Sequence, residues 1–258
     1  MGGVDARVLV SKRVRVGYDT PAQPSLPGVI GAMAIHQQTA EDRKAVLPID
    51  QLFIDIGAKD KAEAERLAPA GTPVTFDVAY TPFGDGLVIA KALDDRVGVH
   101  ALLQLLDVPY AGELTFAFTS QEEAGCRGAA AAGYRVQPDI ALVLETTSAN
   151  DLGDTPEALQ VCRVGEGVCV SFMDNTSIGD AELYRTMLEV GRQNAVLCQT
   201  KRFVSGGNDA GAIQRAGIGT RTLALSMPCR NIHSPHSVCA LRDAAAQQAL
   251  VRAFLAAL

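Results

Sequence analysis

The stretch Leu87-Val-Ile-Ala-Lys-Ala-Leu-Asp-Asp-Arg-Val-Gly-Val-His100 decides the fold. Leu87–Ala92 is a short apolar run that predicts a strand, two acids interrupt it, and Arg96–Leu106 then carries helical periodicity. The same alternation continues downstream. Thr115–Thr119, Ile140–Leu144 and Arg221–Met227 predict buried strands, and Ala210–Ala216 predicts a helix capped by Asp209 and ended by Gly217. From about Ala244 to Leu258, apolar Leu250, Ala253, Phe254 and Ala257 recur at i, i+3, i+4 and i+7, one face of an amphipathic helix. Strands alternating with helices predict an α/β domain built on a mainly parallel, helix-covered sheet.

Upstream of Leu87 the texture differs. Val8–Val16, Val29–Ala34, Leu52–Ala58 and Pro73–Thr81 are short β-rich runs separated by Pro and Gly, with helical periodicity confined to about Lys59–Leu67. Such runs predict a small barrel or sandwich. The division expected is therefore a β-rich domain over residues 4–86 and an α/β domain over residues 87–258.

Composition narrows the class of function. The 258 residues are 48% hydrophobic and 20% charged, which suits a globular chain with a sizeable core and excludes a mostly disordered one. Lys and Arg number 23 against 29 Asp and Glu, giving a net charge of −6. With no long basic run and no Trp, neither nucleic acid nor an anionic membrane is expected as partner. Met1-Gly-Gly-Val-Asp-Ala6 has no signal-peptide pattern, and no stretch reaches the roughly 20 apolar residues of a membrane span. Six cysteines never form Cys-x-x-Cys, so free thiols in the cytoplasm are expected.

The acids gather where strands end. Asp94 and Asp95 follow the first strand of the second half, Glu122 and Glu123 follow the second, Glu145 follows Ile140–Leu144, and His233 lies beyond Arg221–Met227. Ligands of open α/β sheets collect at the carboxyl ends of strands. Acids and one imidazole converging without a basic partner would repel unless a divalent cation joined them. A carboxylate shared by two such cations, with a spare carboxylate as general base, suits hydrolysis at a carbonyl. Bland alternatives exist for each residue: Asp94-Asp95 as a helix cap, Glu122-Glu123 as a solvated turn, His233 as a satisfied loop histidine. Glu145 is the hardest to explain that way, because a carboxylate directly after Ala-Leu-Val-Leu needs a partner. His36, His100 and His236 stay outside the expected site.

Taken together, Lys91-Ala-Leu-Asp-Asp-Arg-Val-Gly98, Thr119-Ser-Gln-Glu-Glu-Ala-Gly125, Glu145-Thr-Thr-Ser-Ala-Asn-Asp-Leu-Gly-Asp-Thr-Pro156, Gly206-Gly-Asn-Asp-Ala-Gly-Ala-Ile213 and Ile232-His-Ser-Pro235 resemble the tetrahedral and glutamyl aminopeptidases, dinuclear metallopeptidases. Weaker similarity runs through Gly2-Gly3, Pro27–Gly31 and Leu52–Gly57. The resemblance implies a zinc-peptidase-like α/β fold with an inserted β-barrel-like assembly domain. It implies Asp94 as the bridging carboxylate, Glu122 as general base, Glu123 and His233 as ligands of a first zinc or cobalt ion, and Glu145 as ligand of a second. It further implies peptide substrates and homo-oligomers from dimer to dodecamer.

The family also carries a His-x-Asp segment ahead of the inserted domain, and this sequence starts within the Gly-Gly that follows it. The resemblance therefore implies one firmly held ion and a weak second, left with Asp94 and Glu145, and impaired peptidase activity. Two other readings stand beside it. One is a degenerate, non-catalytic assembly subunit. The other is an endoglucanase-type glycoside hydrolase, for which no aromatic sugar platform is evident.

Overall fold

The computed structural model describes residues 2–21, 24–107 and 109–258. Strands β1 (Arg13–Val16), β2 (Leu26–Gly31) and β3 (Phe53–Asp55), helix α1 (Lys61–Leu67) and strand β4 (Val74–Phe76) make up the first part. All three strand pairings are antiparallel, in the order β3-β2-β1-β4. Alternation sorts the side chains: Val14, Val16 and Ile30 turn inward with Leu9, while Val29 faces out. The expected elements are present, with β1, β3 and β4 shorter than their apolar runs and β2 shifted to start at Leu26 rather than Val29. Val8, expected to open the first strand, instead ends a single 3-10 turn, Ala6–Val8, capped by the Asp5 side chain.

Next come β5 (Thr81–Phe83), β6 (Leu87–Ala90), α2 (Leu93–Gln104), α3 (Arg127–Val136), β7 (Ile140–Ser148), β8 (Val168–Ser171), α4 (Ala181–Gln193), β9 (Cys198–Thr200), α5 (Asp209–Gln214), β10 (Arg221–Cys229), β11 (Ser237–Ala240) and α6 (Leu241–Ala257). The central sheet has the order β7-β10-β8-β9, with parallel outer pairings and an antiparallel β8–β10 pairing between them. Beside it lies a small antiparallel sheet, β11-β6-β5.

Helices cover both faces of the central sheet, which explains its near-continuous apolar strands. Leu223 and Leu225 of β10 pack with Leu183 and Met187 of α4 and Leu250 and Phe254 of α6. Ala224, pointing the other way, meets Val143 of β7 and Ala210 of α5. Helix α3 lies on α5, where a Cβ on Gly133 would come 3.2 Å from the Cα of Ile213.

Two expectations are corrected here. Thr115–Thr119 is not a strand: Leu114 and Phe116 pack against the core, but the segment has no ladder partner among the described residues and Phe118 is half exposed. Asp209 does not cap α5. Asn208 does, accepting from the Ala210 N–H at 2.9 Å, and Asp209 becomes the first helical residue, its side chain freed for other contacts.

Candidate metal centre

Strand β6 delivers the first acids. After Ala90 the chain reaches Ala92 in the left-handed region (φ 51°), and Asp94 and Asp95 have non-helical backbone before α2 proper begins. The peptide joining them is cis. The cap reading holds for one of the two: Asp95 Oδ1 accepts from the Gly98 N–H at 2.9 Å. Asp94 makes no such cap and turns to the imidazole of His233.

His233 sits in the turn between β10 and β11 with φ 57°, an uncommon conformation for a residue bearing a side chain. Arg230 pins that turn through two bonds to Asp151, 2.7 Å from Nε and 2.8 Å from Nη2. Burial raises the Asp151 carboxyl, but Arg230 and the Val164 N–H outweigh it, so the net shift is downward.

Glu122 and Glu123 belong to the turn that leads into α3. The N–H groups of Gly125 and Cys126 both donate to the Glu122 carbonyl at 2.9 Å. Glu123 reaches His233, and Glu122 Oε1 accepts from the Cys126 thiol at 3.6 Å. Glu145 lies within β7 rather than at its end, opposite Ser226 of β10, and is buried. The apolar run stops at Leu144, where Glu145 enters a donor group, while the backbone ladder continues to Ser148.

These placements bring together two groups of donors around Asp94. In the first, His233 Nε2 lies 3.4 Å from Asp94 Oδ2 and 3.7 Å from Glu123 Oε1. Tetrahedral zinc, with Zn–N and Zn–O of about 2.1 Å, separates such donors by roughly 3.4 Å. The second group is Asp94, Asp95 and Glu145. Asp95 lies with the Asp94 and Glu145 expected there, carried to the same side by the turn before α2. The residues present therefore fit divalent cations at both groups.

Electrostatics agree with that fit. Burial, then neighbouring carboxylates, pushes Glu145 up to about 10. Burial likewise pushes Asp95 up to about 8, against the Gly98 N–H that lowers it. Asp94 and Glu122 are also raised, with burial the largest cause in each. Carboxylates crowded in this way, with no Lys or Arg among the causes of any of these four shifts, call for an external positive charge.

Gly2, Gly3 and Asp209 also contribute, in roles that the sequence did not single out. Gly2 and Gly3 lie over the first group: a Cβ on Gly2 would come 2.5 Å from Glu123 Oε2, and one on Gly3 would come 3.3 Å from His233 Nδ1. Asp209 Oδ2 accepts from the Thr119 hydroxyl at 2.5 Å, fixing the segment ahead of Glu122 to α5. His36, His100 and His236 belong to neither group of donors.

Comparison with known proteins decides the family. The sequence profile of the M42 glutamyl aminopeptidases matches residues 1–250. The chain belongs to the M42 glutamyl aminopeptidase family. It is 29% identical to the glutamyl aminopeptidase of Lactococcus lactis, over 100% of this chain and 73% of that protein. Aminopeptidase APDkam598 of Desulfurococcus kamchatkensis superposes with a TM-score of 0.90 at 30% identity, covering 99% of this chain and 71% of that one. The Pyrococcus horikoshii TET1 peptidase, which assembles into a tetrahedron or a large octahedral shell, gives a TM-score of 0.83 at 31% identity, over 98% and 74%. The M42 assignment makes the chain an aminopeptidase of a metal-dependent hydrolase family with an α/β fold.

Proposed function

We propose that this aminopeptidase removes N-terminal residues from peptides with Glu122 as general base and two divalent cations, zinc or cobalt, held by Asp94, Glu123, Glu145 and His233. Asp94 is the shared ligand, because it alone belongs to both donor groups. The observation that carries the reading is the His233 imidazole set 3.4 Å from Asp94 and 3.7 Å from Glu123. Cations held there supply Lewis acidity to the scissile carbonyl and acidify water.

The chain's own residues do the rest. Glu122, raised above the ordinary carboxylate range by burial and by Asp209 and Glu123, accepts the proton of the attacking water and returns it to the leaving amine. Arg230 and Asp151 hold the turn that carries His233, so the imidazole keeps its orientation. Gly2 and Gly3 leave room for the Glu123 and His233 side chains. The second donor group offers oxygen only and is less suited to zinc than the first, so its ion exchanges more readily.

Residues 4–86 serve assembly in this reading and residues 87–258 carry the chemistry. Exposed Met33, Ile35, Val46, Ile49 and Phe53 in the first part support a homo-oligomer. A cytoplasmic location is supported by six free cysteines. No helix among the described residues is long and apolar enough to cross a membrane.

The test is hydrolysis of a panel of aminoacyl anilides and short peptides. Activity abolished by a chelator and restored by zinc or cobalt is the expected result. Cleavage of β-glucan instead, or peptide hydrolysis indifferent to chelation, overturns it. Folded, metal-loaded protein with no hydrolysis at all would favour the assembly-subunit reading.

A further inference from the structure

A third donor cluster includes Glu122, and the pair of ions proposed above does not use it. One ligand atom each from Glu122, Cys126 and Asp209 lies within 4.8 Å of the others. Cys126 Sγ and Glu122 Oε1 are 3.6 Å apart. A tetrahedral ion with Zn–S of about 2.3 Å and Zn–O of about 2.1 Å places its sulfur and oxygen ligands about 3.6 Å apart.

Asp209 provides an independent sign that something is to be bound. The residue is only 6% exposed, and Oδ2 accepts from the Thr119 hydroxyl. Oδ1 is buried without a hydrogen-bond partner among the described residues. A buried carboxylate oxygen left without a donor is costly unless a cation or a proton meets it.

We propose that Glu122, Cys126 and Asp209 form a separate mononuclear site for a thiophilic divalent cation such as zinc or cadmium. One thiolate and two carboxylate oxygens give three protein ligands, with the fourth position open to water. Coordination displaces the thiol proton to solvent, so loading releases protons. An ion held there would engage Glu122, which would otherwise receive a proton from water. Excess zinc is therefore inhibitory by withdrawing the general base, a consequence that rests on the reading of Glu122 above.

Cobalt titration of the whole metal-stripped chain tests the site without reference to activity. Neither of the two donor groups around Asp94 contains a cysteine, so a thiolate-to-cobalt charge-transfer band reports this cluster. The wild type should develop that band. Cys126→Ser should lack it while still taking up cobalt at the sulfur-free groups. Asp209→Asn should need about 10-fold more cobalt to reach half its intensity. Circular dichroism confirms that each variant is folded, and the wild-type band stands as a test even if one is not. No band in the wild type, a band that persists in Cys126→Ser, or one unaffected by Asp209→Asn overturns the proposal. Chelator-sensitive peptide hydrolysis is a separate readout, so failure of the cobalt band leaves the peptidase reading standing.

Discussion

Replacing Gly98 by alanine tests how tightly the site is built into the fold. Gly98 lies buried on α2 where the helix crosses β7. A Cβ there would come 2.6 Å from the Leu144 carbonyl oxygen and would also strike the Asp95 carboxylate. Relaxing that overlap to an ordinary contact near 3.4 Å requires α2 to retreat by about 0.8 Å. On an open helix face Gly→Ala stabilises by about 1 kcal/mol. Overpacking of this kind costs about 1–3 kcal/mol, so the net expectation is a loss of about 1 kcal/mol. The retreat carries Asp94 and Asp95 away from His233 and Glu145 by more than the roughly 0.5 Å that a functional constellation tolerates. A fall of about 100-fold in kcat/KM should accompany it. Urea unfolding in the presence of chelator gives the stability change, and anilide hydrolysis by the metal-loaded protein gives the rate. A variant about 1 kcal/mol more stable than wild type with unchanged kcat/KM would refute this reasoning.

Glu122→Gln should lower kcat by about 10²- to 10⁴-fold with metal content unchanged, and a kcat near wild type would remove Glu122 from the base role. Asp151→Asn breaks the paired bonds to Arg230 and should destabilise the fold by about 3 kcal/mol, measured by urea midpoints. Because the Asp151 carboxyl is lowered in the folded chain, its contribution is full above the ordinary Asp value near 4 and is lost as pH falls through the lower folded value. The acid limb of wild-type stability should accordingly flatten in Asp151→Asn, and equal slopes below about pH 4 would contradict the pairing. Phe254→Ala empties a side chain that is 1% exposed at the centre of the main core, for an expected loss of about 3–5 kcal/mol by thermal or urea unfolding.

Much of the second half was legible because its central strands are buried on both faces. Ile140–Leu144 and Arg221–Met227 could be read as strands from composition alone, and Leu250 and Phe254 marked the inner face of α6. The Thr115–Thr119 run misled because an apolar pattern reports burial of one face and says nothing of whether a neighbouring strand is there to pair with it. Glu145 was located by its oddity after four apolar residues, but its place within β7 depended on a ladder with β10 that the sequence does not display.

At the site, chemical type drew attention to Asp94, Glu123 and His233, and the structure brings them within ligand distance of one another. Asp95 was hidden because a cap and a donor look alike in sequence, and here one side chain sits in both positions. Asp209 was masked in a similar way: the adjacent Asn208 caps α5, and only the fold shows the aspartate turned toward Thr119. The closeness of Gly2 to Glu123 joins residues more than a hundred positions apart and leaves no local pattern to read.

The most direct test of the central claim is the zinc and cobalt content of the folded chain after dialysis, for the wild type and for His233→Ala. The account predicts about one ion per chain firmly retained by the wild type, a second taken up at higher concentration, and loss of the retained ion in His233→Ala. Folded wild-type protein that retains no metal, or a His233→Ala chain that retains as much as wild type, would contradict it.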